Sequence, residues 1–176
     1  EISGIEDAAS LKDQPTVTWI NADGIHDMEL METVGARFGI HPLTLEDIVN
    51  TGQRPKLEDF EDYLYLVFKM LSYDAGAETV RSEQISLVVG ENFVFSFQET
   101  VGDVFGPVRE RIRKGKGRIR KAGSGYLAYA LIDAVVDHYY AVLETVGAKI
   151  EETEEQLMED PEPKVLETIH ELKREM

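Results

Sequence analysis

Hydrophobic and polar positions follow two different periods along the chain, and the switches between them mark the elements. Thr16 to Ile20 alternates threonine with Val17 and Trp19 and predicts a strand, closed by the turn residues Asn21, Ala22, Asp23 and Gly24. Met28, Met31, Val34 and Phe38 then recur at helical spacing, which predicts a helix from about Asp27 to Phe38 with Gly39 ending it. Pro42 has the fixed φ suited to the first turn of another helix. There Leu45, Ile48 and Val49 face inward, and Glu46 and Asp47 project off that apolar face.

Three strands are expected next. Tyr63 to Ser72 is nearly continuous in apolar residues and predicts a strand buried on both faces, which would put Leu66 in the core. Glu83 to Val89 and Phe93 to Gln98 read as strands joined by a tight hairpin at Gly90-Glu91-Asn92. Short links make these three an antiparallel meander, while the helical crossover after the first strand permits parallel pairing, so the sheet should be mixed. Asp103 is expected to cap a helix running to about Lys114, and a glycine-broken basic loop from Gly115 to Gly125 follows.

After that loop the composition shifts. From Ser124 to about Glu159 one helical pattern runs without proline, its Leu127, Leu131, Val135, His138, Val142, Val146 and Ile150 spaced by three or four. A helix of that size is roughly 50 Å long. Pro161 and Pro163 end it, and another helix begins. The expected class is α+β with an α/β/α layered core: a mixed, partly antiparallel sheet between helical layers, followed by long helices. Residues 1–123 form the sheet domain and 124–176 a long acidic helical hairpin.

Composition narrows the functional classes. The 176 residues are 43% apolar, enough for a globular core, and none is cysteine, which excludes disulfides, zinc-thiolate sites and thiol nucleophiles. No apolar window is long enough to span a bilayer, and the N-terminus lacks a signal-peptide pattern. The chain begins at Glu1 and stops at Met176 inside an amphipathic pattern, so it is expected to be a fragment of a longer protein. A net charge of −16 disfavours nucleic acid and anionic lipid and favours cations or basic partners.

The long helix carries a candidate for such a cation. Asp133, Asp137, Glu144, Glu151 and Glu155 fall within roughly 40° of arc at about 100° per residue, forming an acidic stripe. A solvated face is the bland explanation. Carboxylates held about 4 Å apart nevertheless repel by roughly 4 kcal/mol at an effective dielectric of 20, and a divalent cation would turn repulsion into coordination. Magnesium takes hard oxygen ligands and keeps several waters, so one or two carboxylates per ion suffice.

The runs HPLTLEDIVN, QRPK, YLYLVFKML, SEQISLVV, FQETVGDVFGPVRERIR, YLAYALIDAVVDHYY and the terminal HELKREM occur in that order, from about Val17 to the last residue. Together they resemble the cytosolic domain of the CorA family of magnesium and cobalt channels. The resemblance implies that Glu46 and Asp47 match an acidic pair near a subunit boundary. It further implies that Asp133 matches an aspartate helping to bind a regulatory divalent ion, Mg2+ or Co2+. It implies a homopentameric cell-membrane protein with this piece on the cytoplasmic side, its stalk and pore helices, which carry a Gly-Met-Asn motif, lying downstream.

Other motifs are weaker. Glu167 and His170 have di-iron spacing without the second motif that such a centre needs. His41 reads as a helix-entry residue, His138 as a packed core histidine, and His26 as a turn residue. The basic cluster from Arg109 to Lys121 lacks base-stacking aromatics, and its glycines fit neither phosphate-loop nor dinucleotide patterns. Two alternatives stand beside the cation-sensing reading. One is a metal-independent acidic module docking a basic partner, and the other is the equivalent domain of a related zinc transporter. No enzyme is expected, because Glu46 and Asp133 have no nucleophile or oxyanion donor to work with.

Overall fold

In the computed structural model, residues 5–12, 14–115 and 117–159 are described. Their elements run α1 (Ile5–Ala9), β1 (Thr18–Asp23), α2 (Met28–Phe38), α3 (Pro42–Val49), β2 (Lys56–Asp59), β3 (Tyr63–Asp74), β4 (Thr79–Gly90), β5 (Phe93–Gln98), α4 (Gly106–Lys114) and α5 (Gly123–Glu159). The second helix after Pro161, the Glu167 and His170 pair and the HELKREM run lie outside the described residues. One five-stranded sheet has the order β1-β5-β4-β3-β2. β1 runs parallel to β5, whereas β4 with β5 and β2 with β3 pair antiparallel, giving the mixed sheet.

Two compact units are drawn from these elements, residues 1–69 with 83–134, and residues 70–82 with 135–176. In the first, side chains of opposite parity on the strands serve two different faces. Tyr65, Val67, Val88, Phe93, Phe95 and Phe97 share one core with Ala8 of α1, Met31, Val34 and Phe38 of α2, and Ile48 of α3. Phe38 packs edge-on against Phe93 and Phe95 with centroids 5.1 and 4.6 Å apart. Ile85, Leu87, Val89 and Val94, of the other parity, are buried too, as are Phe105, Val108, Leu127 and Leu131 from the helices that follow the sheet. Trp19 meets Phe105 edge-on at 5.8 Å.

Local signals account for the helix ends. Asp27 caps α2 by accepting from the Leu30 N–H at 3.0 Å, and Gly39, at φ 72°, closes it in the left-handed region. Gly35 lies inside α2 because a Cβ there would stand 2.4 Å from Leu45 Cδ1, where α3 crosses close by. His41 is the N-cap of α3, its Nδ1 accepting from Leu43 N–H at 3.2 Å. Its own N–H donates to the Tyr63 hydroxyl at 3.1 Å, which ties the start of α3 to β3.

Several expectations are corrected. β3 alternates buried with more exposed positions and is not buried on both faces: Tyr63, Tyr65 and Val67 are inside, Leu64 is 38% exposed, and Leu66 is only half-buried. Being next to the short edge strand β2, this end of β3 is fully covered on one side only; the stretches buried on both faces are β5 and Gln84–Gly90 of β4. β1 continues to Asp23 instead of turning at Asn21, since pairing with β5 draws these polar residues into the ladder and Ser96 donates to Asn21 Oδ1 at 2.5 Å. Met28 is 55% exposed, on the outer side of α2. Asp103 does not cap α4, which starts at Gly106. Its carboxylate accepts from the Phe105 N–H at 2.8 Å and grips Arg109 from both oxygens. α1 and β2 are additional elements.

In the second unit, Val142, Val146 and Ile150 of α5 pack on Leu71, Tyr73 and Val80 from the outer parts of β3 and β4. Lys149 pairs with Glu78 at 2.8 Å and Glu152 at 3.0 Å, and these contacts raise its pKa, Glu78 contributing most. His138 is half-buried.

Candidate metal site

α3 presents its carboxylates beside the sheet. Glu46 is exposed, while Asp47 sits one position deeper and is already engaged. Its Oδ2 lies 2.5 Å from Lys56 Nζ, and its Oδ1 accepts from Gln53 Nε2 at 3.0 Å. Lys56 also reaches Glu58 at 2.9 Å and stands 5.3 Å from the centroid of the Tyr65 ring. The Asp47 hydrogen bond is the main cause holding the Lys56 pKa above the ordinary lysine range, so the ammonium stays charged at neutral pH.

The backbone around this pair is clamped from β4. Gln84, 2% exposed, donates its amide to the Asp47 and Asn50 carbonyls at 3.2 and 3.3 Å and accepts from Gln53 N–H at 3.1 Å. A buried amide with these three partners around α3, and the Ser86 hydroxyl at 3.5 Å as a fourth, fixes where α3 ends and hence where Asp47 points. Below it, burial pushes the Tyr65 hydroxyl up to about 12, the Ser86 hydroxyl offsetting only part of the shift. Lys56 and Gln84 were missed by sequence reasoning. The available signal was a glutamine inside the otherwise buried SEQISLVV strand.

Asp133 lies elsewhere, half-buried on α5, where it accepts from the Tyr129 hydroxyl at 3.3 Å. Among the described residues no three His, Asp or Glu side chains converge to hold a metal ion, so Glu46, Asp47 and Asp133 do not form one cluster within the chain. Asp137, Glu144, Glu151 and Glu155 are exposed. The donor chemistry suits a hard divalent ion, and an ionised carboxylate has about four lone-pair sites, so Asp47 keeps acceptor capacity beyond its two donors. Lys56 competes for that capacity.

A second charged group, Asp23 with Asp103 and Arg109, sits at the C-terminal ends of β1 and β5. Burial, then the Asp103 charge, raises the Asp23 pKa despite a hydrogen bond from Asn21 Nδ2 at 2.7 Å. A carboxyl whose folded pKa exceeds its unfolded value favours the folded state only below the unfolded pKa, and that favour is lost as pH rises through the folded pKa. Asp23→Asn should therefore raise the melting temperature at pH 7 by a small amount, worth less than about 1 kcal/mol for so exposed a group, with no gain near pH 3. Melts at the two pH values check this; a gain of equal size at both would show that charge is not its origin.

These elements define a protein class by comparison. The complete CorA magnesium transporter of Methanocaldococcus jannaschii superposes with a TM-score of 0.75 at 19% identity, covering 90% of this chain and 49% of that one. The soluble domain of the same protein gives 0.73 at 19% identity over 90% of this chain and 62% of its own length. The ZntB cytoplasmic domain from Vibrio parahaemolyticus gives 0.61 at 16% identity, covering 87% of this chain and 63% of that one. The fold is thus that of CorA-type soluble domains.

In sequence, the cobalt/magnesium transport protein CorA of Thermotoga maritima is 48% identical over 172 residues, which is 98% of this chain and 49% of that protein. The putative metal ion transporter YfjQ of Bacillus subtilis is 33% identical over 147 residues, 81% of this chain and 44% of that protein. A family model described as CorA-like Mg2+ transporter protein matches residues 15–176. The chain belongs to the CorA family. It spans about half the length of these curated relatives. No helix among the described residues is long and apolar enough to cross a membrane.

Proposed function

We propose that this chain is the cytosolic, divalent-cation-sensing domain of a CorA-like Mg2+/Co2+ channel, with Glu46, Asp47 and Asp133 as its share of regulatory metal sites. The observation that carries this reading is the 48% identity to a cobalt/magnesium transport protein along nearly the whole chain. That similarity is joined to carboxylates too few, among the described residues, to enclose an ion. Such half-sites suit completion by a neighbouring copy, as in a homopentamer embedded in the cell membrane through helices outside this chain. No catalysis is involved.

In this reading the bound ion supplies positive charge that offsets carboxylate repulsion between subunits. Asp47 exchanges part of its pairing with Lys56 for that charge, and Gln84 keeps α3 in place while it does so. Glu46 adds an exposed oxygen donor beside it, and Asp133 adds one from α5. The ion shifts the channel only through its differential affinity for the closed ring. The ZntB likeness in fold supports a zinc-transporting variant as the second reading.

Thermal unfolding tests the assignment. Mg2+ or Co2+ should stabilise the chain beyond a sodium control of equal ionic strength, by RT ln(1 + [L]/Kd), which is about 2.7 kcal/mol at a hundredfold excess. For a domain of this size each kcal/mol is worth about 2 to 4 °C. Asp47→Asn and Asp133→Asn should each reduce that increment, Asp47→Asn also lowering the metal-free baseline slightly because Lys56 loses its partner, and Lys56→Met should enlarge the increment by removing the competing ammonium. Equal increments in wild type and all three variants would move the metal sites away from these residues and favour the acidic docking module.

A further inference from the structure

Within the first unit a cavity of about 660 Å3 opens at the N-terminal end of β1. Trp19, Ile112, Ile119 and Leu127 line its wall, the last two buried. Asn92 and Glu91 of the hairpin turn close one side, and Arg120 and Lys121, both exposed, stand on the other just ahead of α5. The volume falls in the range of about 300 to 1,000 Å3 typical of small-molecule sites, and an apolar wall with a few polar groups at its rim is their usual make-up.

The charge here runs against the rest of the chain. Seven of the 18 lysines and arginines lie between Arg111 and Lys121, although the net charge is −16. Lys114 pairs with Glu110, and Arg111 donates to the Tyr126 hydroxyl at 3.2 Å, so part of the cluster is satisfied internally. The two cations at the cavity are different. Arg120 donates its Nε to the Ile112 carbonyl at 2.6 Å, which anchors the guanidinium base, and no carboxylate among the described residues pairs with Arg120 or Lys121. α5 begins beside them at Gly123, with no acidic residue in its first turn to occupy its amides.

We propose that this cavity binds a soluble organic phosphate with an apolar ring system, of the nucleotide kind. Arg120 and Lys121 take the phosphate, the guanidinium by paired hydrogen bonds and the ammonium as a point charge. The apolar wall holds the ring system. The cleft is open to solvent and its volume of about 660 Å3 accommodates a nucleoside; titration with lysophosphatidate tells a lipid source from a nucleotide. Glu91 repels a phosphate placed at the hairpin side and so directs it to the basic side.

Trp19 is the only tryptophan in the chain and lines this cavity, so its emission responds to an occupant there. ATP, titrated in chelator at fixed ionic strength with sulfate as the control, should change that emission saturably. The double variant Arg120→Gln/Lys121→Gln should weaken the apparent affinity by about tenfold or more, the loss expected from one charge-assisted hydrogen bond. Arg81→Gln, in the second unit, should leave it unchanged, and far-UV circular dichroism should show all variants folded. Pyrophosphate should bind at least about tenfold more weakly than ATP if burial of a nucleoside-sized apolar surface contributes. Absence of a saturable response beyond sulfate, an undiminished response in the double variant, or pyrophosphate equal to ATP would each overturn the proposal. A response to lysophosphatidate in place of ATP would overturn the nucleotide assignment.

Discussion

Phe95→Ala should destabilise the protein by about 3 to 5 kcal/mol in urea denaturation, the range for removing a fully buried aromatic ring and leaving a cavity. Phe95 is 0% exposed and lies on β5, covered on both sides. Its ring stacks on Phe97 at 5.2 Å and takes the edges of Phe38 and Phe93 at 4.6 and 6.0 Å. Truncation therefore removes three aromatic contacts at once, and neighbours held by β1 and β4 cannot close the gap. Leu66→Ala, on the more open part of β3, should cost only about 1 kcal/mol, because a half-exposed side chain already meets water. If Leu66→Ala proved the costlier of the two, the assignment of β5 as a strand buried on both faces would be wrong.

Asp103→Ala should cost about 2 to 4 kcal/mol. The Asp103 side chain is 5% exposed, and its carboxylate holds Arg109 as well as the Phe105 N–H. Removing it leaves a guanidinium, itself 31% exposed, without its anion, and leaves an amide at the start of α4 without its acceptor. Arg109 would keep only the Trp19 ring, 5.1 Å from its guanidinium carbon, and the charge of Asp23. Loss of one partner is costlier than loss of both, so Asp103→Ala/Arg109→Met should recover at least about 1 kcal/mol relative to Asp103→Ala. Strict additivity of the two substitutions in urea melts would show that the pair is not coupled.

These two predictions also separate what was legible in the chain from what was not. α2 could be read with its caps, because Asp27 and Gly39 act on their own neighbours. The β4 and β5 hairpin was equally local, and so was the inward stripe of α5, where Leu127, Leu131, Val135, Val142, Val146 and Ile150 are all buried. The mixed sheet followed from link lengths. Family membership followed from literal runs in order.

Other features depended on which surfaces meet. The apolar composition of β3 could not disclose that its edge is covered on one face only, since coverage is decided by β2 and the helices, not by β3. β2 itself, Lys56–Asp59, has a charged sequence and exists through its register with β3, Leu57 facing Leu66. Asp103 looked like a cap because caps are local, yet its partner Arg109 is selected by burial at the end of the sheet. Glu46, Asp47 and Asp133 could be named from the chain only as candidates. That Asp47 is held by Lys56 and Gln53, with its helix end clamped by Gln84 from β4, was decided by tertiary structure, because those contacts join side chains whose separation in the chain carries no periodic signal.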